Sequence, residues 1–376
     1  MIQRILEKRV MERLFKGRVV TILGARRVGK TTLVKALLER FPEKRTRYLN
    51  CDLQPIRQAL AHQDAERLKV YLGDQELVVL DEAQNIPEVG RVLKILVDTY
   101  PEMQIIATGS SSFDLANKTG EPLTGRVYPF VLSPLSLTEI AGSNGYSMIE
   151  PRLEQLLRFG SYPSVLDASE SESRDQLDEL VANYLYKDTL SYLGVKKSTL
   201  VTDLLSLLAL QVGQEVAYPE LGTALGIDRR TVASYIDVLE QSFVVFRLRA
   251  FSRNLRKEIS KSQKVYFYDL GVRNALLQAF TPLALRQDVG ALWENFCIVE
   301  RRKFMADRGL RANTYFWRTY DQKEIDYIEE RDGVLTGYEC KWNPAKRMRS
   351  PQEFLDVYPG SVVHQIDRSN YWRHLL

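Results

Sequence analysis

One stretch constrains this chain more than any other: Gly24-Ala25-Arg26-Arg27-Val28-Gly29-Lys30-Thr31-Thr32, which fits GxxxxGK[ST] and directly follows the apolar run Val19-Val20-Thr21-Ile22-Leu23. Glycine at both ends lets the backbone curl so that successive N–H groups point inward, and a helix beginning near Lys30 adds the positive end of its dipole. Such a loop is a cradle for a polyphosphate. The spacing sets Lys30 against the β- and γ-phosphates of ATP and the Thr31 hydroxyl on Mg²⁺. A strand before the loop and the apolar repeat Leu33, Ala36, Leu37 after it supply a strand, loop and helix, and hence an α/β core.

A core of this kind needs further parallel strands beside the first. Arg47 to Asp52 reads as the second, and Glu76-Leu77-Val78-Val79-Leu80-Asp81-Glu82 as the third. The apolar run of the third fits burial on both faces and delivers Asp81 to the metal and Glu82 to the attacking water, making them the catalytic acidic pair. The next strand, Met103 to Ala107, runs into Thr108-Gly109-Ser110-Ser111-Ser112. Ser110 is the first choice, and Thr108 the second, for a hydroxyl that senses the third phosphate. Arg126 precedes the strand-like Val127 to Leu132; it either reaches a neighbouring subunit's nucleotide as an arginine finger or caps a surface turn.

At 376 residues the chain exceeds one core, since single cores stop growing near ~250 residues. The expected limits are 1–140 for the P-loop core, 141–197 for a helical lid, 198–270 for a winged helix and 271–376 for a C-terminal domain. A net charge of +4 is too small to argue for a nucleic-acid partner, so that case rests on local clusters. No run reaches the ~18 apolar residues of a spanning helix, and the start is too charged for a signal peptide, which points to a cytoplasmic protein with no membrane partner. Ile2, Ile5, Leu6, Val10 and Leu14 instead mark an amphipathic helix packed on the core, closed by Gly17. Cys51, Cys297 and Cys340 lie far apart with no CxxC, and His62, His364 and His374 give no zinc spacing. Reduced thiols and no structural metal are expected.

From Ser147 the pattern is helical, with Leu153, Leu156 and Leu157 on one face; Asp167 to Ser173 reads as an exposed loop or hinge, and helices resume from Leu177 to Leu193. Leu221 and Leu225 then define one helix, Gly226 a turn, and Asp228 the cap of a second helix that buries Val232, Ile236 and Leu239. This helix-turn-helix would present Arg229, Arg230 and Ser234 outward, either to DNA or, as winged helices also do, to a protein. Phe243 to Leu248 follows as a wing-like strand. Arg247, Arg249, Arg253, Arg256, Lys257, Lys261 and Lys264 face only Glu258 in acid, so the stretch is a DNA-binding patch or a solvated basic face.

The combination of the P-loop, Leu80-Asp81-Glu82-Ala83-Gln84, Thr108-Gly109-Ser110-Ser111 and Leu132-Ser133-Pro134-Leu135-Ser136 resembles a prokaryotic family of AAA+ ATPases that carry a C-terminal domain of unknown function. The likeness continues in Phe159-Gly160-Ser161-Tyr162-Pro163 and Tyr184-Leu185-Tyr186-Lys187-Asp188. Toward the end, Glu294 on a helix, Asp326, and Glu339 with Lys341 resemble in order the PD-(D/E)xK nuclease fold, although no Pro-Asp pair precedes them. That resemblance implies acidic residues holding Mg²⁺ and a lysine serving water, or a domain that holds DNA without cutting it. The expected architecture is therefore a P-loop AAA+ ATPase core with helical lid, winged helix-turn-helix and restriction-endonuclease-like α/β C-terminal domain. Its expected work is ATP hydrolysis coupled to duplex or branched DNA, as a homo-oligomer. An ATP-gated endonuclease and a signalling scaffold whose winged helix docks protein are the alternatives.

Overall fold

The structure, a computed structural model, describes residues 2–110, 123–182, 198–251, 263–319, 323–348 and 352–376. They form two compact units, one comprising 1–134 with 241–243 and the other 135–240 with 244–376.

The first unit is built on five strands: β1 (Val19–Leu23), β2 (Thr46–Asn50), β3 (Leu77–Asp81), β4 (Gln104–Gly109) and β5 (Val127–Val131), in the order β2-β3-β4-β1-β5. All of the pairings are parallel. β1, β3 and β4 are buried along their whole length, which is why they read as unbroken apolar runs and not as alternating ones. The helix Val89–Thr99 buries Val89, Val92, Leu93, Leu96 and Val97, a spacing that gives one apolar stripe for the sheet. At the N-terminus, Leu6, Val10 and Leu14 are buried as their periodicity implies, and Glu7 accepts from Arg40 at 2.8 Å. Because the strands are parallel, the ends of β1, β3 and β4 bring three loops to one edge, where ligands bind in open parallel sheets.

The second unit carries β6 (Glu215–Val216), β7 (Val245–Ala250), β8 (Gln263–Phe267), β9 (Asn313–Arg318), β10 (Glu324–Arg331), β11 (Val334–Cys340) and β12 (Val362–Ile366). They make a single sheet in the order β12-β11-β10-β9-β7-β8-β6. β7 pairs in parallel with β9, Arg249 opposite Tyr315, so the sheet runs across the limit expected at 270/271. The helix Val289–Asp307 leads into β9, β10 and β11, which pair antiparallel; the helix Gln352–Val357 then returns the chain to β12, parallel to β11.

The segment expected as a lid is bonded into this unit. Asn274 donates to the carbonyls of Leu157 and Arg158, Arg158 donates to Phe280 O, and the Ser161 N–H donates to Asp269 at 2.7 Å. The loop or hinge read over 167–173 is shorter than expected. A helix spans Glu170–Leu180, its start fixed by Ser169 and Glu172, which exchange hydrogen bonds with each other's backbone N–H. That cap was present in the sequence and overrides the lack of large apolar residues. The motif Tyr184 to Asp188 lies outside the described residues.

Candidate functional site

The loop after β1 takes the conformation its glycines allow. Gly24 sits at φ +156, and a Cβ there would fall 2.2 Å from the Leu132 carbonyl oxygen, so no other residue fits. Arg27 and Gly29 also adopt positive φ, which curls the backbone before the helix Lys30–Glu39. Lys30 is 4% exposed, and its ammonium donates to the carbonyls of Gly24 and Ala25 at 2.9 and 3.0 Å. Arg4 ties the loop from outside, donating to Val28 O at 2.7 Å and Ser133 O at 2.6 Å.

Asp81 and Glu82 arrive beside this loop from β3. One Asp81 oxygen accepts from the Thr31 hydroxyl at 2.7 Å and the Tyr48 hydroxyl at 2.5 Å, and the other from the Thr108 hydroxyl. Thr108 also accepts the Glu82 N–H at 3.0 Å, so one hydroxyl sets both acids. Burial, followed by the hydrogen bond to Asp81, pushes the Tyr48 phenol well above its usual range; it is a donor. Gln84 donates to the Glu82 carboxylate at 2.6 Å and to Ser110 Oγ at 3.2 Å. The structure thus brings together Lys30, Thr31, Asp81, Glu82, Thr108 and Ser110. Ser111 and Ser112 lie outside the described residues.

Arg126 does not join them. Its carbonyl pairs with Val19 N at the start of β1, whereas the P-loop leaves the other end of that strand. Five residues of strand separate the two by about 16 Å. Arg126 pairs instead with Asp98 at 2.6 Å.

In the second unit the helices Tyr218–Leu225 and Arg229–Gln241 meet at a turn in which Gly226 adopts φ +67. A Cβ on Gly222 would lie 2.7 Å from Ile227 O, so the close approach of the helices also demands glycine there. Asp228 caps the second helix, accepting from Arg230 N at 2.8 Å, Thr231 N at 3.1 Å and the Thr231 hydroxyl at 2.6 Å. Those bonds, the Thr231 hydroxyl first, hold its carboxyl below the usual range. Val232, Ile236 and Leu239 are buried, and Arg229, Arg230 and Ser234 are exposed.

The basic stretch after it is smaller than its sequence count. Arg247 is paired with Glu240 and with Asp237, and Lys264 is 2% exposed. Arg247 is half-buried and Lys264 fully buried, because their strand positions face acids of the same unit. Arg253, Arg256, Lys257 and Lys261 lie outside the described residues.

Glu294, Asp326, Glu339 and Lys341 converge on one region of the large sheet. Lys341 lies 3.2 Å from Glu339 and 3.8 Å from Asp326, while an Asp326 oxygen accepts the Cys340 N–H at 2.7 Å. Lys264 reaches Glu294 at 3.2 Å and also contacts Glu324, and Tyr266 donates to Glu294 at 2.7 Å. Burial pushes Glu294 up to about 7, with Asp326 and Glu324 adding to it against the pull of Lys264. Burial and Asp326 likewise push Glu339 up to about 7, although Lys341 opposes them. Among the described residues, no three His, Cys, Asp or Glu side chains stand where they could hold a metal ion.

A family model described as an AAA domain matches residues 16–141. Two domains of unknown function, DUF8612 and DUF4143, match 150–283 and 289–373. Uncharacterized proteins of Mycobacterium tuberculosis and Mycobacterium bovis are each 30% identical over 367 residues, covering 94% of this chain and 79% of their own. The chain belongs to this family of AAA-domain ATPases. An uncharacterized Methanocaldococcus jannaschii protein is 28% identical over 69% of this chain and 63% of its own. AMPPCP-bound DnaA from Aquifex aeolicus overlaps 62% of this chain and 86% of its own at 19% identity, with a TM-score of 0.27, too loose an overlap to argue from.

Within the AAA domain, Tyr48 and Gln84 are site neighbours that sequence reasoning missed. Tyr48 stands two residues before Asn50, which is paired with Asp81, so it shares that strand face. Gln84 follows the acidic pair closely enough to have been suspected. No helix among the described residues is long and apolar enough to cross a membrane.

Proposed function

We propose that this ATPase couples Mg²⁺-ATP hydrolysis to the holding of DNA by its second unit, working in the cytoplasm as a homo-oligomer. Hard oxygen donors suit magnesium, and the Thr31 hydroxyl with the Asp81 carboxylate fits that demand. Gly24 to Thr32 would hold the phosphates, Lys30 turning from its own loop's carbonyls to them. Bound Mg²⁺-ATP supplies a phosphoryl group open to attack by water. Glu82 orients that water, and Ser110 and Thr108 fix the groups around it. Since Arg126 sits at the opposite end of its strand from the P-loop, any role on nucleotide would be on that of a neighbouring subunit.

The observation that carries the DNA reading is the Asp228-capped helix, which leaves Arg229 and Arg230 exposed at its first turn, the end that enters the major groove in such motifs. A gel shift with duplex, single-stranded and branched DNA at rising salt tests it. Binding should weaken with salt, and replacing Arg229 and Arg230 together by Ala should flatten the salt slope by about two units. No shift at low salt, or a shift untouched by the double substitution, overturns the reading in favour of protein docking.

Metal-dependent cleavage is the second reading, favoured by the order helix, three antiparallel strands, helix, parallel strand, with Glu294, Asp326, Glu339 and Lys341 brought together upon it. Lysines already lie against these acids, and no metal-holding trio forms among the described residues, so holding without cutting fits better. The same DNA incubated with Mg²⁺ or Mn²⁺ should remain intact; cleavage abolished by Asp326→Ala would establish the rival.

A further inference from the structure

Gln84 is placed unlike a residue that merely fills space. It lies on the turn Ala83–Asn85, immediately after Glu82, whose own backbone is forced to φ +53. Only 7% of it is exposed. Its amide nitrogen donates in two directions, to the Glu82 carboxylate at 2.6 Å and to the Ser110 hydroxyl at 3.2 Å. Since a carboxylate can only accept, the amide must face Glu82 with its nitrogen, and this fixes which end is the oxygen. That oxygen, Oε1, is buried and has no hydrogen-bond partner. Leaving such an acceptor unmade is costly, and in a folded protein it calls for an explanation.

The surroundings supply one. Ser110 follows Gly109, whose carbonyl accepts the Gly24 N–H at 3.2 Å, so Ser110 stands at the mouth of the phosphate loop. Gln84 therefore bridges the acid that faces the attacking water and the hydroxyl that faces the third phosphate. We propose that Gln84 is a further residue of the hydrolytic site: its NH₂ group holds Glu82 and Ser110 in register, and its free oxygen accepts a hydrogen bond from the water that Glu82 activates. No bond is made or broken by Gln84 itself. The inference rests on the reading of Glu82 and Ser110 given above and adds the group that joins them.

The test is a double-mutant cycle on the full chain using Gln84→Met, which keeps the side chain's length and volume but not its polar atoms, Glu82→Gln, and both together. One hydrogen bond to a charged group is worth about ten- to a hundredfold in rate, so Gln84→Met should lower kcat by that factor with the Kd for ATP within about twofold. On the Glu82→Gln background the same change should cost less than about threefold, because the partner it positions is gone. A structural residue would instead lose stability or nucleotide affinity and give the same loss on both backgrounds; that outcome overturns the proposal, as does a kcat within twofold of the parent. If Gln84→Met fails to fold, Gln84→Ser carries the same cycle. Normal turnover by Glu82→Gln sinks the reading of Glu82 and this inference together, whereas a strongly slowed but measurable Glu82→Gln beside a normal Gln84→Met sinks this inference alone.

Discussion

Replacing Thr108 by Val tests how the two acids of the AAA domain are set. Thr108 is fully buried, and valine has nearly its shape, so the change takes away the hydroxyl with little volume and leaves the buried groups bonded to it without that partner. Two bonds go with it: the Glu82 N–H loses its acceptor at 3.0 Å, and the Asp81 carboxylate loses a donor. A neutral bond is worth about 1 kcal/mol and one to a charged group about 2 kcal/mol, for a total of roughly 3 kcal/mol. If that falls on the turnover step, the rate drops on the order of a hundredfold. Steady-state ATP hydrolysis should show this fall, and a fluorescent nucleotide titrated without Mg²⁺ should bind within about twofold of the parent, because Thr108 is bonded to the acids and not to the phosphate loop. Ser110→Ala removes a 3.2 Å contact to Gln84 but leaves both of the bonds that Thr108 makes to the acids, so its loss should be smaller. Turnover by Thr108→Val within threefold of the parent, with Ser110→Ala the more damaged, would refute this account and restore Ser110 to first place.

Two further outcomes follow from charges. Arg126→Ala should lower hydrolysis at least about tenfold without weakening ATP binding, and mixing it with Lys30→Ala subunits should restore activity, since each supplies what the other lacks; mixtures no more active than the sum of their parts would favour the surface pair with Asp98 as its whole role. Burial pushes Glu294 up to about 7 in the fold, well above the ordinary glutamate range, so the stability it contributes is complete below about 4.5 and is lost as pH rises through about 7, on the order of 3 kcal/mol. Glu294→Gln should therefore flatten the fall in melting temperature between about pH 5 and pH 8, measured in EDTA, and an unchanged pH profile would show that Glu294 does not carry it.

What the sequence disclosed depended on how local each determinant is. The phosphate loop, the third strand with its acids, and the helix pair with its Asp228 cap are each set by residues within one or two turns of chain, and each stands where its pattern puts it. Tyr48 was missed because its role exists only through the pairing of β2 with β3, which sets Asn50 opposite Asp81 and brings the phenol to the carboxylate. Ser110 stands before Thr108 as the expected hydroxyl, yet the sequence holds nothing that ranks two hydroxyls after one strand. Only the side-chain bonds separate the one on Asp81 from the one on Gln84.

Lys264 shows the same limit with the opposite sign. In sequence it closes a basic run and counts toward a DNA-binding patch. In the fold it sits on β8, paired with Leu248 of β7, and points into the acids of the helix Val289–Asp307 and of β10. Burial alone would lower its pKa, yet Glu294, Asp326 and Glu324 together hold it above the usual range, so it keeps its charge with almost no exposure. An ammonium contributed from across the limit expected at 270 thus neutralises part of the acidic group on which a cleavage site would depend. The expected winged helix and the expected nuclease-like domain consequently share both a sheet and a charge balance, and a substitution at Lys264 would disturb both at once.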